Sequence, residues 1–353
     1  MSRIFFCNDG ASVPRRSLGR GLVPISIEVS PGERGVVRFS DGSSSQASCL
    51  RCVDAPCMFF GDAEVVSASL PDFPADRNPT VCPAGAMSRA DGGAPSIDPD
   101  ACMLCGVCAT RCPTAAISMI PHAVVDDFAR AAFPETSEAA SADAALVALA
   151  AAPRTGEFLI ESDAVAEHLR EKLVSAWARV GDRFPDHLAR NLLIAAGCGA
   201  AMRRKGDVFA RMDIVLGSPW PNYGCAEAEF GDVAVLDAPR DLLDDVAVLV
   251  GRFGRNLDSV TTLVVTDILP NRRSEYWRIV QDIRNVLDIK IGTVTVLALC
   301  LLVWRGGKLS DLPPYLFHVD IDTPSYRTSV LEPLLGRKLR IGSVLRSSVE
   351  VAK

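Results

Sequence analysis

The pattern of apolar residues in the second half of the chain predicts alternating helices and strands. Apolar positions that recur every three to four residues are typical of helices, and short runs rich in β-branched residues are typical of strands. On these patterns we predict helices over 191–205, 241–254 and 274–287, and strands over 208–217, 223–238, 260–269 and 291–306. The segment 223–238 is long enough to form a hairpin instead. This order of elements is typical of a mixed sheet with helices on its faces.

The first half of the chain differs in composition and in its pattern of apolar residues. Residues 1–44 alternate apolar and polar positions around Gly and Pro, which predicts one or two β-hairpins. Residues 122–188 are rich in Ala, Ser and acidic residues, and we predict a helical linker there. Within this linker an apolar residue recurs at every fourth position from Val165 to Trp177, which predicts a helix of about four turns.

Composition is that of a folded globular protein. The chain has 353 residues, of which 48% are hydrophobic and 23% charged, enough for two or three domains. The net charge of -6 argues against a protein that coats nucleic acid through bulk charge, although a local basic groove is compatible with it. Basic residues outnumber acids over residues 325–353, so that end is the place to expect an anionic partner.

No membrane or secretory segment is expected. The short apolar run at the start precedes the first basic cluster and lacks the length of a signal peptide. The longest apolar run, residues 294–304, is too short to cross a bilayer as a helix. We therefore predict a cytoplasmic protein, and in that compartment its twelve cysteines favour metal or cluster ligation over disulfides.

Eight of the cysteines have the spacing of iron-sulfur ligands. The run CMLCGVCATRCP has the order C-x2-C-x2-C-x3-C-P, in which the first thiolates wrap one cluster and the last reaches a second one. Upstream, CLRCVDAPC and a Cys-Pro step supply a second set of the same kind. The candidate ligands are Cys49, Cys52, Cys57, Cys82, Cys102, Cys105, Cys108 and Cys112.

These cysteines resemble the bacterial two-cluster [4Fe-4S] ferredoxin domain, over about residues 45–120. The resemblance implies two [4Fe-4S] clusters with crossed ligation, one held by Cys49, Cys52, Cys57 and Cys112 and the other by Cys82, Cys102, Cys105 and Cys108. The spacing departs from the family pattern between Cys57 and Cys82, which implies an inserted loop. Zinc is the alternative metal, since paired C-x2-C motifs also form zinc ribbons. Whether the clusters are structural or redox-active is left open by the sequence.

The remaining four cysteines lie outside this pattern. Cys7, Cys198, Cys225 and Cys300 are each isolated in an apolar or Gly-rich context. We predict that they are buried small hydrophobic residues.

Three carboxylates are predicted to converge on neighbouring strands. Alternation along a strand puts Glu227 and Glu229 on the same face, together with Cys225. Asp213 belongs to the preceding strand, and antiparallel pairing would bring all three acids together. Convergent carboxylates suit Mg²⁺ or Mn²⁺, which activates water and clamps a phosphodiester. The alternative is a solvent-facing edge strand, where alternating acids resist aggregation.

The segment from residue 190 to 305 resembles the catalytic core of the PD-(D/E)xK restriction-endonuclease-like superfamily. The features that carry the likeness are a helix, a strand that contains Asp213, a strand that contains Glu227-x-Glu229, and a following helix. The resemblance implies that Asp213 and Glu227 ligate the metal and that Glu229 stands where the motif usually has lysine. Some members carry glutamate there and cut, while degenerate members only bind, so activity is left open.

Two basic clusters are candidates for contacts to DNA phosphates. The first is predicted at the end of the first helix of this domain, where basic residues also complement the helix dipole. The second lies in the C-terminal tail. The candidates are Arg203, Arg204, Lys205, Arg337, Lys338 and Arg340.

The sequence thus predicts an α+β or α/β multidomain protein. Its parts are a β-rich segment (1–44), a two-cluster ferredoxin-type domain (45–121), a linker (122–188) and a mixed-sheet endonuclease-like α/β domain with a basic tail (189–353). The predicted function is a metal-dependent nuclease, a phosphodiesterase of DNA processing or defence, with a structural or redox-sensing ferredoxin module. The expected partners are DNA and a redox or defence-complex protein. The alternative function is an electron-transfer subunit that serves a partner oxidoreductase.

Overall fold

Two parts of the chain carry most of the described structure. The computed structural model describes residues 27–29, 37–39, 49–66, 70–91, 93–98, 100–113, 117, 157–160, 164–207, 211–231, 233–267, 270, 274–304, 308–311 and 338–341. Cys7, Arg337 and the Ala-rich segment 134–156 lie outside these residues. No helix in the described ranges is long and apolar enough to cross a bilayer.

The N-terminal part consists of short elements. Strands β1 (Ile27–Val29) and β2 (Val37–Phe39) pair antiparallel, which confirms the predicted hairpin. The cysteine-rich unit contains α1 (Asp62–Val65), β3 (Met87–Arg89), β4 (Pro95–Ile97) and α2 (Val107–Arg111), with β3 and β4 antiparallel.

The C-terminal part begins with β5 and two helices and continues into a sheet. Its helices are α3 (Ala164–Val180), α4 (Phe184–Ala195), α5 (Ala238–Gly251), α6 (Glu275–Leu287) and α7 (Val296–Trp304). Its strands are β5 (Glu157–Ile160), β6 (Gly199–Met202), β7 (Ile214–Gly217), β8 (Tyr223–Ala228), β9 (Thr261–Thr266), β10 (Ile291–Thr295) and β11 (Lys338–Ile341). Strands β5 and β11 form a separate parallel pair.

The central sheet has five strands in sequence order, β6-β7-β8-β9-β10. The β6–β7 and β7–β8 pairs are antiparallel, whereas the β8–β9 and β9–β10 pairs are parallel, so the sheet is mixed as predicted. Helix α5 packs on β8 and β9, while α4 packs on β6 and β8. The sheet residues are almost all buried, and they share one continuous apolar core with the cysteine-rich unit.

The helix predicted over 191–205 is wrong in its second half. Helix α4 ends at Ala195, and Gly197 adopts a left-handed conformation (φ 85°), which is a common way to terminate a helix. The following Gly-Ala-Ala-Met forms β6 because it pairs with β7, and a side chain at Gly199 would meet the Ser218 carbonyl at 2.1 Å. Sheet pairing has overridden the helix propensity of alanine here.

The long strand predicted over 291–306 is also wrong. Strand β10 ends at Thr295, and the apolar run continues as helix α7. A segment that is apolar on every side has no periodicity to separate strand from helix. The hairpin predicted as an alternative over 223–238 is not formed, because β8 ends at Ala228 and a 3-10 turn (Ala234–Leu236) leads into α5. The predicted strand 208–217 begins at Ile214.

Other elements agree with the sequence predictions. The helix expected between Val165 and Trp177 is α3, with Leu173 buried at 1% exposure. Helices α5 and α6 and strand β9 lie within one or a few residues of their predicted bounds. Cys198, Cys225 and Cys300 are all buried, as expected for small hydrophobic side chains.

Candidate functional site

Four of the candidate cysteines surround one cavity. Cys49, Cys52, Cys57 and Cys112 line this space, together with Arg89 and the backbone of the Cys49–Cys52 turn. Burial, and after it the neighbouring thiols of Cys112 and Cys49, raises the pKa of the Cys57 thiol to about 12. Thiols so placed are protonated unless a metal replaces the proton, so the donor set fits a thiolate-ligated metal cluster.

The other four candidate cysteines form a second group. Burial raises the pKa of Cys108 well above its ordinary value, and Cys105, Cys102 and Cys82 add to the effect. Burial also raises the pKa of Cys105, and the largest contribution from a neighbouring thiol comes from Cys300 on α7. Cys300 therefore lies beside this group, a position that its isolation in sequence did not indicate.

The backbone around both groups is folded into tight loops. Arg51 (φ 49°) and Leu104 (φ 64°) adopt left-handed conformations inside their C-x2-C turns, and Gly106 (φ 78°) does so before α2. Amide groups point at three of the sulfurs, as in the bond from the Ala86 amide to Cys82 Sγ at 3.3 Å. Such amide hydrogen bonds stabilise thiolates and tune the reduction potential of a cluster.

Asp213, Glu227 and Glu229 converge at one end of the central sheet. Ligand oxygens of the three carboxylates all lie within 4.8 Å of one another. Strands β7 and β8 pair antiparallel with Ile214 opposite Ala226, so one further step along this register places Asp213 opposite Glu227. Glu227 is 4% exposed on an interior strand, and the alternative of a solvent-facing edge strand is therefore wrong.

Arg203 is bound to this cluster and does not stand apart from it. Its guanidinium Nη2 lies 2.8 Å from Asp213 Oδ1, and its amide donates to the Asp213 carbonyl at 2.8 Å. Arg204 and Lys205 follow in an exposed turn. Because these three residues follow strand β6, the prediction that they end a helix is wrong, and a helix dipole does not explain them. Lys338 and Arg340 belong to β11.

Two further acids belong to the site and were not predicted. Asp245 on α5 is 1% exposed and in hydrogen-bonding contact with the Glu227 carboxyl. Asp186 in the first turn of α4 lies near Asp213. A sequence signal existed for Asp245, since it occupies the apolar stripe of α5 between Leu242 and Leu249, where a charged residue is costly.

Crowding and burial make these acids hold protons more strongly. Burial, followed by the Asp213 charge, raises the pKa of Glu229 to about 7 and that of Asp186 to about 7. Burial and the carboxylates of Asp213 and Asp245 raise the pKa of Glu227 well above its ordinary value. In the absence of a cation the cluster therefore holds protons at neutral pH.

This crowding predicts a pH-dependent stability without added divalent cations. Folding raises the pKa of Glu229 from 4.5 and of Asp186 from 3.8, each to about 7, so the folded state binds more protons in that interval. The contribution of these two groups to stability should be full below about pH 4 and should be lost as the pH rises to about 7. We expect the thermal midpoint in chelator to drop between about pH 4.5 and 7 and to level off above that range. A Glu229→Gln, Asp186→Asn protein should show a flatter profile; an unchanged slope in that variant would contradict the assignment.

A segment between the two cysteine groups reaches this end of the sheet. We call residues 70–81 the strap, and Cys82 follows directly after it. The strap lies along the edge of β6, where the Asp76 amide donates to the Met202 carbonyl and the Arg204 amide to the Pro74 carbonyl, both at 2.8 Å. The loop that the sequence predicted to be inserted thus covers the edge of β6.

Side chains of α4 hold the strap from the other side. The buried Asn191 side chain donates to the carbonyls of Thr80 at 2.9 Å and Val81 at 3.1 Å. The buried Arg190 donates to the Asn78 carbonyl at 2.9 Å. Arg183 completes the connection, because its guanidinium bonds both the Asp76 carboxylate and the Arg203 carbonyl. A continuous set of polar contacts therefore joins Cys82 to the Arg203–Asp213 pair.

Comparison with known proteins supports one part of this site. A family described as 4Fe-4S binding domain (Fer4) matches residues 95–118, which contain Cys102, Cys105, Cys108 and Cys112. No curated protein and no solved structure matches the chain. The chain therefore carries an iron-sulfur binding segment, and the matched residues imply a [4Fe-4S] cluster.

Proposed function

We propose that this protein is a divalent-cation-dependent phosphodiesterase that acts on nucleic acid and carries two [4Fe-4S] clusters. The observation that carries the proposal is the convergence of Asp213, Glu227 and Glu229 within 4.8 Å at one end of the sheet. The order α4-β6-β7-β8-α5-β9, with Asp213 just before β7, Glu227 in β8 and Glu229 just after it, supports the resemblance to restriction-endonuclease-like cores. The predicted domain boundaries, including the endonuclease-like unit from residue 189, form part of this proposal.

Each acid has a distinct role in the proposed reaction. Asp213 and Glu227 would hold Mg²⁺ or Mn²⁺, which supplies Lewis-acid activation of water and of the scissile phosphate. Glu229 takes the position usual for lysine. Its pKa of about 7 suits a general base that accepts a proton from the attacking water near neutral pH.

Basic residues at the same end of the sheet suit a polyanionic substrate. Arg203 neutralises part of the carboxylate charge through its bond to Asp213. Arg204 and Lys205 extend from the following exposed turn, where they can reach phosphates that flank the reacting one. DNA is the partner that this arrangement favours, with the C-terminal basic residues as a second candidate contact.

We propose that the two cysteine groups hold one cluster each. Cys49, Cys52, Cys57 and Cys112 would bind the first and Cys82, Cys102, Cys105 and Cys108 the second, which is supported by the shared cavity and by the mutual pKa effects within each set. The cysteine unit shares its core with the sheet, and the strap connects Cys82 to Asp213. These contacts favour a structural role, in which the clusters hold the strap and thereby the carboxylate end of the sheet.

Electron transfer is the second candidate function. Leu50 and Val53, which flank the first cysteine group, are 62% and 102% exposed. Exposed apolar residues beside a cluster are suited to docking a redox partner, because electron transfer requires a short distance between centres. This surface would serve electron transfer to a partner protein, and that function would not require the three carboxylates.

The test is cleavage by the full chain, purified without oxygen so that its clusters stay intact. Single- and double-stranded DNA and RNA would be offered in Mg²⁺ or Mn²⁺. We expect cutting by the wild type and by an Asp258→Ala control, whose acid is exposed and remote from the cluster, and no cutting by an Asp213→Ala, Glu229→Ala protein. Cutting that survives the double substitution would refute the carboxylate assignment. Failure of the wild type to cut any substrate, with reversible reduction of its clusters, would favour electron transfer.

A further inference from the structure

A cavity of about 760 Å³ lies between the strap, the turn after β6 and the end of α5. This volume is within the range of sites that hold small molecules. Asp213, Glu227 and Glu229 do not line the cavity, and it shares no residue with the cavity of the first cysteine group. Neither proposed metal centre therefore accounts for it.

Two half-buried phenylalanine rings form part of the apolar wall of this cavity. Phe73 comes from the strap, and Phe253 is the second residue after the end of α5. Neither ring pairs with another aromatic ring within the described residues. Rings that stay partly accessible inside a cavity offer a planar ligand a surface on which it can stack.

Two arginines line the same cavity at the end of α5. Gly254 adopts a left-handed conformation (φ 63°), and the Arg255 amide donates to the Leu249 carbonyl at 3.0 Å. The chain thus turns back after the helix, and both Arg252 and Arg255 reach the cavity. The Arg255 guanidinium lies 5.0 Å from the centre of the Tyr223 ring, a contact that orients it. Guanidinium groups have the geometry and charge to bind a phosphate.

Two acids complete the polar lining. Asp72 belongs to the strap, and Asp207 lies in the turn after β6, where its carboxylate is 3.8 Å from the Arg204 guanidinium. Carboxylates accept hydrogen bonds from the amino groups on the edges of nucleobases. An inorganic phosphate would gain nothing from the rings and would be repelled by the acids. A purely apolar ligand would leave the arginines and the acids without a role.

We propose that this cavity binds one nucleotide, with its base against Phe73 and Phe253 and its phosphate at Arg252 and Arg255. A nucleotide combines a planar ring, amino groups that donate hydrogen bonds and an anionic group, and the lining can bind all three. The inference goes beyond the proposed function, because it assigns a second site that uses none of the three carboxylates. The nucleotide has two possible sources, a free mononucleotide and a nucleotide turned out of a nucleic-acid strand.

A nucleotide in this cavity would act on the strap. Phe73 is followed by Pro74, whose carbonyl accepts a hydrogen bond from the Arg204 amide at 2.8 Å. A base that packs on Phe73 would therefore hold this part of the strap against the edge of the sheet. Met212 lines the cavity and directly precedes Asp213, so the bound nucleotide would lie beside the carboxylate end of the sheet.

The experiment measures binding to the full chain with intact clusters by isothermal titration calorimetry. A chelator is present, so that no cation at the three carboxylates binds phosphate and no strand is cut. The probes are the ribo- and deoxyribonucleoside monophosphates, inorganic phosphate, and short single-stranded DNA and RNA. We expect the preferred nucleotide to bind at least about 10-fold more tightly than inorganic phosphate, because only the nucleotide stacks on the rings.

Substitutions in the lining connect the binding to this cavity. Arg252→Gln should weaken nucleotide binding at least about 10-fold, because a charge-assisted bond to phosphate is lost. Phe253→Leu should weaken it at least about 5-fold, whereas Phe253→Tyr keeps the ring and should bind like the wild type. Arg278→Gln is the charge-matched control, because Arg278 is exposed on α6 and does not line the cavity. Circular dichroism and cluster absorbance should match in all five proteins.

Each outcome decides the inference or the source of the nucleotide. Weaker binding of monophosphates in Arg252→Gln and Phe253→Leu would support a site for free nucleotides. An effect of both substitutions on strand binding alone would support the cavity and identify the strand as the source. Affinities that stay unchanged in both variants would overturn the inference. Inorganic phosphate that binds as tightly as the nucleotides would also overturn it, as would a wild-type protein that binds no probe.

The same measurement keeps this inference apart from the proposed function. The Asp213→Ala, Glu229→Ala protein should bind nucleotides with the wild-type affinity, because neither residue lines the cavity. Failure of that protein to cut, with its nucleotide binding retained, is the result expected if both proposals hold. Cleavage by a wild-type protein whose cavity binds no nucleotide would overturn this inference alone.

Discussion

Replacing Glu227 by Gln is expected to reduce cleavage at least about 100-fold while making the cation-free protein more stable. The loss of activity follows from removing the central carboxylate, which contacts both Asp213 and Asp245. Burial raises the pKa of Glu227, so the folded protein must either take up a proton there or bury a charge near two other acids. Gln removes this cost, and the cation-free protein therefore gains stability. Gln has nearly the same shape, carries no charge and can still donate to Asp245.

The two effects are measured separately. Cleavage rates in Mn²⁺ give the first, and thermal unfolding in chelator at about pH 7.5 gives the second, with an expected rise of at least about 2 °C. Glu275→Gln is a matched control, because the Glu275 side chain is 72% exposed and is paired with Arg240 and not with an acid of the cluster. Loss of both activity and stability in Glu227→Gln would indicate a structural residue instead. Full activity would exclude Glu227 from the cation site.

Replacing Cys82 by Ser is expected to remove one cluster and, with it, cleavage. Cys82 directly follows the strap, so release of the cluster frees one end of the segment that bonds Asn191, Arg183 and the edge of β6. Arg203, which receives the Arg183 bond at its carbonyl, would then lose its fixed position beside Asp213. We expect iron to fall from about eight to about four atoms per chain and cleavage to fall at least about 10-fold.

Limited proteolysis distinguishes a structural role of the cluster from an electronic one. In the Cys82→Ser protein the strap should become the first site that the protease cleaves, and the thermal midpoint of unfolding should fall. Cys198→Ala is the control, because Cys198 is buried but belongs to neither cysteine group. A Cys82→Ser protein that has lost half its iron yet cleaves at the wild-type rate and resists protease would refute the structural role. Loss of cleavage without any change in proteolysis would point to a redox role.

Local patterns were sufficient wherever the chemistry is contained in a short stretch of chain. The spacing of Cys102, Cys105, Cys108 and Cys112 predicted an iron-sulfur segment, and the 4Fe-4S family match over residues 95–118 confirms it. Alternation along β8 put Glu227 and Glu229 on one face, and the antiparallel pairing with β7 brings Asp213 to them. Spacing predicts these arrangements because a strand has a fixed period of two and a cysteine loop has a limited reach.

Patterns failed where a segment had no periodicity or where its partner lay far away in sequence. The run after Thr295 is apolar on all sides, and residues 296–304 form a helix that packs against α4 and α2. The GAAM segment has helix-forming residues, and pairing with β7 and the strap makes it a strand. The tertiary fold overrides propensity in both cases, because buried pairing outweighs the small differences between residue types.

The sequence by itself therefore determined which donor groups this protein offers: thiols at the spacing of iron-sulfur ligands, and three carboxylates at strand spacing. Only the tertiary structure decided which other groups share that chemistry. Asp245 comes from α5, and Arg203 directly follows β6. The strap connects Cys82 to the edge of β6 and to the side chains of α4. Such contacts bring together residues far apart in the chain, and burial then sets their charge and pKa. No local pattern encodes that environment, because it exists only once the sheet and helices have packed.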